Sequence, residues 1–385
     1  MFADRTNWNL DMNRLAQALV RRRVGGEPVI DLTVSNPTDV GFTHDETAIL
    51  RALSKPDVLA YRPDPKGLSG ARQALAGYYA ALGARLAIED MFLTASTSEA
   101  YSFVCRLLCN PGDDILVPAP SYPLLDFLAD IHDVRLARYP LYYDGGWQTD
   151  IRALESAVTS RTRGVIVVHP NNPTGHFAAR TEVAALNRIC ASREIALIAD
   201  EVFLDFVIGD RKPATFAANG DALTFTLSGL SKLSGLPQMK AAWLVVTGPE
   251  RAKREAVRRI EVIADTYLSV SAPVQLALPE FLEQRHGFQK QLLTRVRKNL
   301  AELDRQLVWQ PSCRRLAVEG GWNAVLRVPA MRSDEDLAIE LLTAKNVHVH
   351  PGHFYDFPSD GYLVISLILQ EEIFAEGVTR LLSSF

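Results

Sequence analysis

Lys232 lies just past a short apolar run, in Ser228-Gly229-Leu230-Ser231-Lys232, with Lys240 eight residues on. An amine set among small residues at a strand end is partly desolvated and gives up its proton more readily, so Lys232 is a candidate nucleophile. A second apolar run, 195–199, ends in Asp200-Glu201. Burying a carboxylate costs several kcal/mol unless a cation or hydrogen bonds meet it, so Asp200 is expected to have a positive partner. The run 165–168 leads into His169-Pro170-Asn171-Asn172-Pro173-Thr174-Gly175. Its prolines lack donors and hold the asparagine side chains in a defined direction. After 91–94, Ser96 and Thr97 open a helical stretch. Free backbone N–H groups and the helix dipole favour an anion such as phosphate there, although a serine in that place is also an ordinary N-cap. Tyr122, between Pro120 and Pro123, sets an aromatic ring beyond the run 115–117.

The elements that must position these residues are read from the order of apolar runs. Short β-type runs at 91–94, 115–117, 164–168, 195–199, 223–227 and 242–246 alternate with helical stretches. Continuous apolar strands between amphipathic helices predict an α/β fold, a mainly parallel sheet covered on both faces. In such sheets a ligand lies beyond the carboxyl ends of the strands, where the polar residues above collect. A long helical pattern over 274–307 follows, then strands at 324–328, 347–349 and 362–367 around a helix at 334–344, which reads as a smaller α+β unit. The N-terminal segment lacks a core pattern of its own and is expected to pack on that unit. The expected division is 45–285 for the large domain, and 1–44 with 286–385 for the small one.

Composition limits the partners. The 385 residues are 48% hydrophobic and 22% charged with 4 cysteines, which excludes a disordered or disulfide-stapled chain. With 41 Lys+Arg against 45 Asp+Glu the net charge is -4, so no electrostatic footprint for nucleic acid or an acidic membrane surface is expected. Asp4, Arg5, Asp11 and Arg14 break up the N-terminus, no apolar stretch is long enough to span a bilayer, and a cytoplasmic location is expected. Cys105 and Cys109 read as core, and His348, His350 and His353 as a strand end and turn without carboxylate or thiolate help.

One sheet edge thus collects an anion cradle, an aromatic plate, an amide, a buried acid and two lysines. Pyridoxal 5'-phosphate needs all of them: it has a phosphate, a flat ring, a ring nitrogen to keep protonated and an aldehyde to trap as a Schiff base. The strings NNPTG at 171–175, DEVF at 200–203 and SGLSKLSGLPQMK at 228–240 resemble the class I/II aminotransferases, fold-type I pyridoxal-phosphate enzymes. The resemblance implies a seven-stranded type of sheet and a homodimer with shared active sites. Lys232 would bind the cofactor aldehyde and shuttle the substrate proton, Asp200 would pair with the ring nitrogen, Asn172 would bond the ring hydroxyl oxygen, and Tyr122 would stack on the ring. Ser96, Thr97, Ser231 and Lys240 would hold the phosphate, and Tyr61 would reach the phosphate of the neighbouring subunit. The implied substrates are an amino donor and a 2-keto acid.

Three positions depart from the family pattern. Phe203 takes the place of a tyrosine that donates to the ring hydroxyl oxygen, Gly229 that of a phosphate-binding serine, and Val364 that of the arginine gripping the substrate carboxylate. Without that arginine the expected substrate-side residues are Ser35, Asn36, Phe203 and His350, with Arg327 and His353 as further substitutes. The same cofactor set also serves β-lyases, decarboxylases and oxidases, and a non-catalytic cofactor-binding protein is the alternative outside enzymes.

Overall fold

A computed structural model describes residues 1–212, 214–268 and 270–385. Its large sheet has eight strands, in the order Met91–Thr94, Ala242–Thr247, Thr224–Gly229, Ala196–Asp200, Thr162–Val168, Asp114–Ala119, Arg135–Tyr143, Trp147–Thr149. The five strands from Thr224–Gly229 to Arg135–Tyr143 are mutually parallel. Ala242–Thr247 runs antiparallel to both its neighbours, so Met91–Thr94 points the same way as the five. The strand beyond the expected seven is a three-residue antiparallel return, Trp147–Thr149, at the edge.

Side chains alternate across this sheet because the strand period is two. Ile115, Val117, Ile166, Val168, Ile198 and Phe225 enter one core, while Leu116, Val165, Val167, Leu197 and Ala199 enter another on the opposite face. Fully burying such a side chain stabilises by about 1.5–3 kcal/mol, and a register slip would misplace every one of them. The carboxyl ends of the strands are therefore fixed platforms. Thr94, Ala119, Val168, Asp200 and Gly229 end at one edge, with Val168 opposite Asp200 and Gly229 opposite Ala242.

A second sheet of four antiparallel strands has the order Arg314–Arg315, Asn323–Arg327, Tyr362–Ser366, His350–Pro351. The helix Asp334–Lys345 starts where Ser333 caps the Asp336 N–H and stops at Asn346 in the left-handed region. Val347–His348, expected beside this sheet, pairs instead in parallel with Ile30–Asp31. Leu15 and Ala18 of the helix Arg14–Val24 join the core that also holds Leu337 and Leu341, so the N-terminal segment packs where its lack of a core required. One helix of 36 residues, Ala272–Leu307, contributes Phe281 and Leu282 to a core under the large sheet and Phe288, Leu292 and Leu303 to this second core. Residue 285 thus falls inside a continuous helix. Among the described residues no helix is long and apolar enough to cross a membrane.

Candidate active site

A cavity of about 480 Å³ opens where the carboxyl edge of the large sheet meets the Tyr362–Ser366 strand. Lys232 reaches it from a single helical turn, Leu230–Leu233, that directly follows the wholly buried strand Thr224–Gly229. Leu230 and Leu233 are buried and pin that turn. The Lys232 ammonium lies 4.9 Å from the centre of the Trp322 ring and 5.9 Å from that of Phe203. Burial pushes its pKa down to about 8, against the opposing pull of Asp200, so near neutral pH part of it is the free amine.

Asp200 ends its strand with the carboxylate at the cavity. Oδ2 accepts from the Tyr101 hydroxyl at 3.0 Å and Oδ1 from the Val202 N–H at 3.1 Å. Burial nevertheless raises its pKa; these two bonds and the more distant charge of Lys232 offset it only in part. Among the described residues no cation forms an ion pair with it, and the expected positive partner is present only as the more distant charge of Lys232.

The other residues divide into those the cavity gathers and those it does not. Asn172 lines it with Oδ1 accepting from Asn323 Nδ2 at 2.8 Å, and among the described residues the Asn172 amino group has no acceptor. Ser96 is the N-cap of the helix Thr97–Leu108, its Oγ accepting from the Glu99 N–H at 3.1 Å, while the Glu99 carboxylate accepts from the Ala95 N–H at 2.6 Å. The capping role is thus real, yet Thr97, Ser98 and Ser231 also line the cavity, and among the described residues their hydroxyls have no partner. Tyr122, Phe203, Ser35 and His350 line it too. Phe203 meets Trp322 edge to face at 4.8 Å, so an apolar wall stands where a donor was expected in relatives.

Three expected site residues lie elsewhere. Lys240 is exposed just past the turn Pro237–Met239, in the left-handed region with φ 51°, and is not part of the cavity wall. Asn36 spends its side chain on its own turn, accepting from the Thr38 N–H at 3.1 Å and donating to Asp39 at 2.8 Å. Tyr61 is 81% exposed and borders a separate recess with Leu68 and Ser271. Of the further substitutes, Arg327 is held against the Tyr362 ring and bonded to its hydroxyl, and His353 packs edge-on to Phe354. His348 pairs with the Asp31 carboxylate at 3.1 Å, a partner the sequence reading did not expect, while His350 and His353 both pack on Phe354. Cys105 and Cys109 are free thiols whose pKa burial pushes up to about 12.

Gly229 has a steric cause. A Cβ there would lie 2.9 Å from the Ala242 Cβ on the adjacent strand, so the serine that the resemblance implies here would require that neighbour to shift. Sequence reading missed Tyr101, Trp322, Asn323 and Tyr355. Tyr101 lies one helical turn after Thr97, and that spacing from the first residue of a cavity-edge helix was the available signal; the others follow only from tertiary packing.

The family model for aminotransferase class I and II matches residues 27–373. Glutamate-pyruvate aminotransferase AlaA of Escherichia coli K12 is 28% identical over 255 residues, 66% of this chain and 63% of that protein, so the match spans less than two thirds of that relative. Alanine aminotransferase of Mycobacterium tuberculosis H37Rv is 27% identical over 380 residues, covering 95% of this chain and 87% of that one. The solved structure of an alanine aminotransferase from Pyrococcus furiosus superposes with a TM-score of 0.91 at 22% identity, over 100% of this chain and 99% of that one, and shares the fold. With the lysine, acid and asparagine of its motifs facing one cavity and the family model spanning nearly its whole length, the chain belongs to the aminotransferase class I and II family.

Proposed function

We propose that this chain is an aminotransferase that uses pyridoxal 5'-phosphate, the cofactor of its family, to move an amino group from an amino acid or amine to a 2-keto acid. The observation that carries this reading is the pair of poorly compensated groups in one cavity: among the described residues, an ammonium set against aromatic rings and a buried carboxylate without an ion pair, each offset only in part by the more distant charge of the other. Each costs free energy as it stands, and the cofactor suits both, since its ring nitrogen is a cation for Asp200 and its aldehyde a partner for Lys232. The names of the relatives support transamination as the reaction.

Bound here, pyridoxal phosphate would supply an aldehyde that keeps the donor's nitrogen as an amine and a protonated ring that draws the electron pair of the donor's C–H bond, water providing the oxygen of the carbonyl product. Asp200, steadied by Tyr101, keeps the proton on the ring nitrogen. Lys232 would serve as the base that takes the proton from the donor carbon and as the acid that delivers it to the cofactor carbon, a role that its lowered pKa suits near neutral pH. Asn172 offers its amino group to the ring hydroxyl oxygen. The hydroxyls of Ser96, Thr97, Ser98 and Ser231 and the helix N-terminus hold the phosphate. Tyr122 covers one ring face, and Trp322 with Phe203 keeps water from the amine.

Two copies would share sites, Tyr61 of each serving the other, and its exposure supports this. Residues 45–285 form the cofactor-binding domain in this reading, with 1–44 and 286–385 as the smaller one. Four free thiols suit a reducing cytoplasm. Purified protein is expected to show a visible absorption band that amino donors deplete in favour of a near-ultraviolet one. Lys232→Ala should lack the lysine-dependent form of that band; a wild-type spectrum in this variant would refute the assignment.

A further inference from the structure

Resting on that reading, we propose that the amino donor of this pocket is a primary amine with an apolar body and no carboxylate on its amine-bearing carbon. Among the described residues, the charged side chains lining the cavity are Lys232 and Asp200, and the cofactor occupies both. Val364 sits mid-strand in the cavity wall, 1% exposed, with Val325 and His350 as its strand partners. His350 is a neutral group: its Nδ1 lies 2.9 Å from the Tyr355 hydroxyl, and burial pushes its pKa down to about 4.

The neighbouring guanidiniums are committed elsewhere. Arg327 stacks 4.8 Å over the Tyr362 ring and bonds the Tyr362 hydroxyl, outside the cavity wall. Arg138 is bound by Asp356, next to Tyr355, and by Asp126, each at 2.8 Å. A carboxylate entering beside Val364 would lose water and, among the described residues of its own chain, meet no free cation, whereas Leu125, Leu128, Trp322 and Ile365 offer an apolar surface. A hydrocarbon body gains from this wall, and His350 adds at most one neutral hydrogen bond. The donor carbon gives its proton to Lys232, its nitrogen remains on the cofactor, and it leaves as an aldehyde or ketone whose oxygen comes from water.

The test compares matched donors on the wild-type holoenzyme, above all 3-methylbutylamine and L-leucine, which differ only by the carboxylate, within a panel of similar amine and amino-acid pairs. The second-order rate of visible-band loss is expected to be at least tenfold higher for the amine of each pair. Calorimetry should detect no binding of 4-methylpentanoate, which has the carboxylate and body without the amine. Val364→Arg, if folded, should raise the rate with leucine tenfold or more by supplying a counter-charge. Faster conversion by the amino acids, or tight binding of 4-methylpentanoate, overturns the proposal and leaves the aminotransferase reading intact. Absence of conversion by every donor removes both.

Discussion

Asp200 is the residue whose replacement separates stability from function. Its carboxylate has two hydrogen bonds, from Tyr101 at 3.0 Å and Val202 at 3.1 Å, each worth about 1.5–3 kcal/mol for a charged acceptor. Against them stands a desolvation penalty of several kcal/mol, and its raised pKa says that desolvation wins. Asp200→Asn keeps the shape and lets the Tyr101 hydroxyl turn to either amide atom. In cofactor-free protein at pH 8 the variant should therefore be more stable than wild type by roughly 1–2 kcal/mol, a rise in melting temperature of about 1–4 °C. The pH dependence has a definite sign. A carboxyl whose folded pKa is raised adds stability below its unfolded value of 3.8, and that stability is lost as pH rises through the folded pKa. The advantage of the variant should accordingly grow with pH and then level off. With cofactor the order reverses: affinity should fall tenfold or more, because the ring nitrogen loses its counter-charge. Calorimetric melts of both proteins, stripped and loaded, across pH 5–8 decide it. A stripped variant that melts below wild type at pH 8 would mean that Asp200 already has a counter-charge, and the reasoning fails.

Gly229→Ser restores the residue type of relatives but drives a Cβ to 2.9 Å from the Ala242 Cβ, so it should cost about 1–3 kcal/mol and lower the melting temperature in a simple thermal scan. His176 lies 3.2 Å from Glu182; burial lowers its pKa, yet Glu182 and Glu319 outweigh burial and raise it above 6.5. The stabilisation is present below pH 6.5 and is lost as pH rises through the raised value, so His176→Gln should cost about 1–2 kcal/mol at pH 6 and less at pH 9 in denaturant titrations. An equal loss at both pH values would remove the charge from that explanation.

The parts of the fold legible in the sequence were those whose burial is complete. Strands 164–168 and 195–199, covered on both faces, read as unbroken apolar runs, and the residues directly after them marked the site. Arg135–Tyr143 escaped notice because it sits near the sheet edge, where Arg135 and Arg138 break up the apolar run and Pro140 interrupts the pattern. Val347–His348 was legible as a strand, but its partner, Ile30–Asp31, lies more than 300 positions away and has no periodicity of its own. The site divides the same way. Lys232, Asp200 and Asn172 are set by strand ends, a local property, and all three face the cavity. Trp322, Asn323 and Tyr355 arrive from the second sheet and the turn beside it, and their spacing from the motifs says nothing about contact. Lys240 was placed with the phosphate by likeness to relatives alone, and its exposed turn leaves it outside the cavity wall.

Hydride reduction of the cofactor-loaded protein, followed by proteolysis and mass spectrometry, tests the central pairing most directly. One modified peptide is expected, carrying the reduced cofactor on Lys232, with labelling much weaker in Asp200→Asn. A label on Lys240 or any other lysine, with Lys232 unmodified, would contradict it.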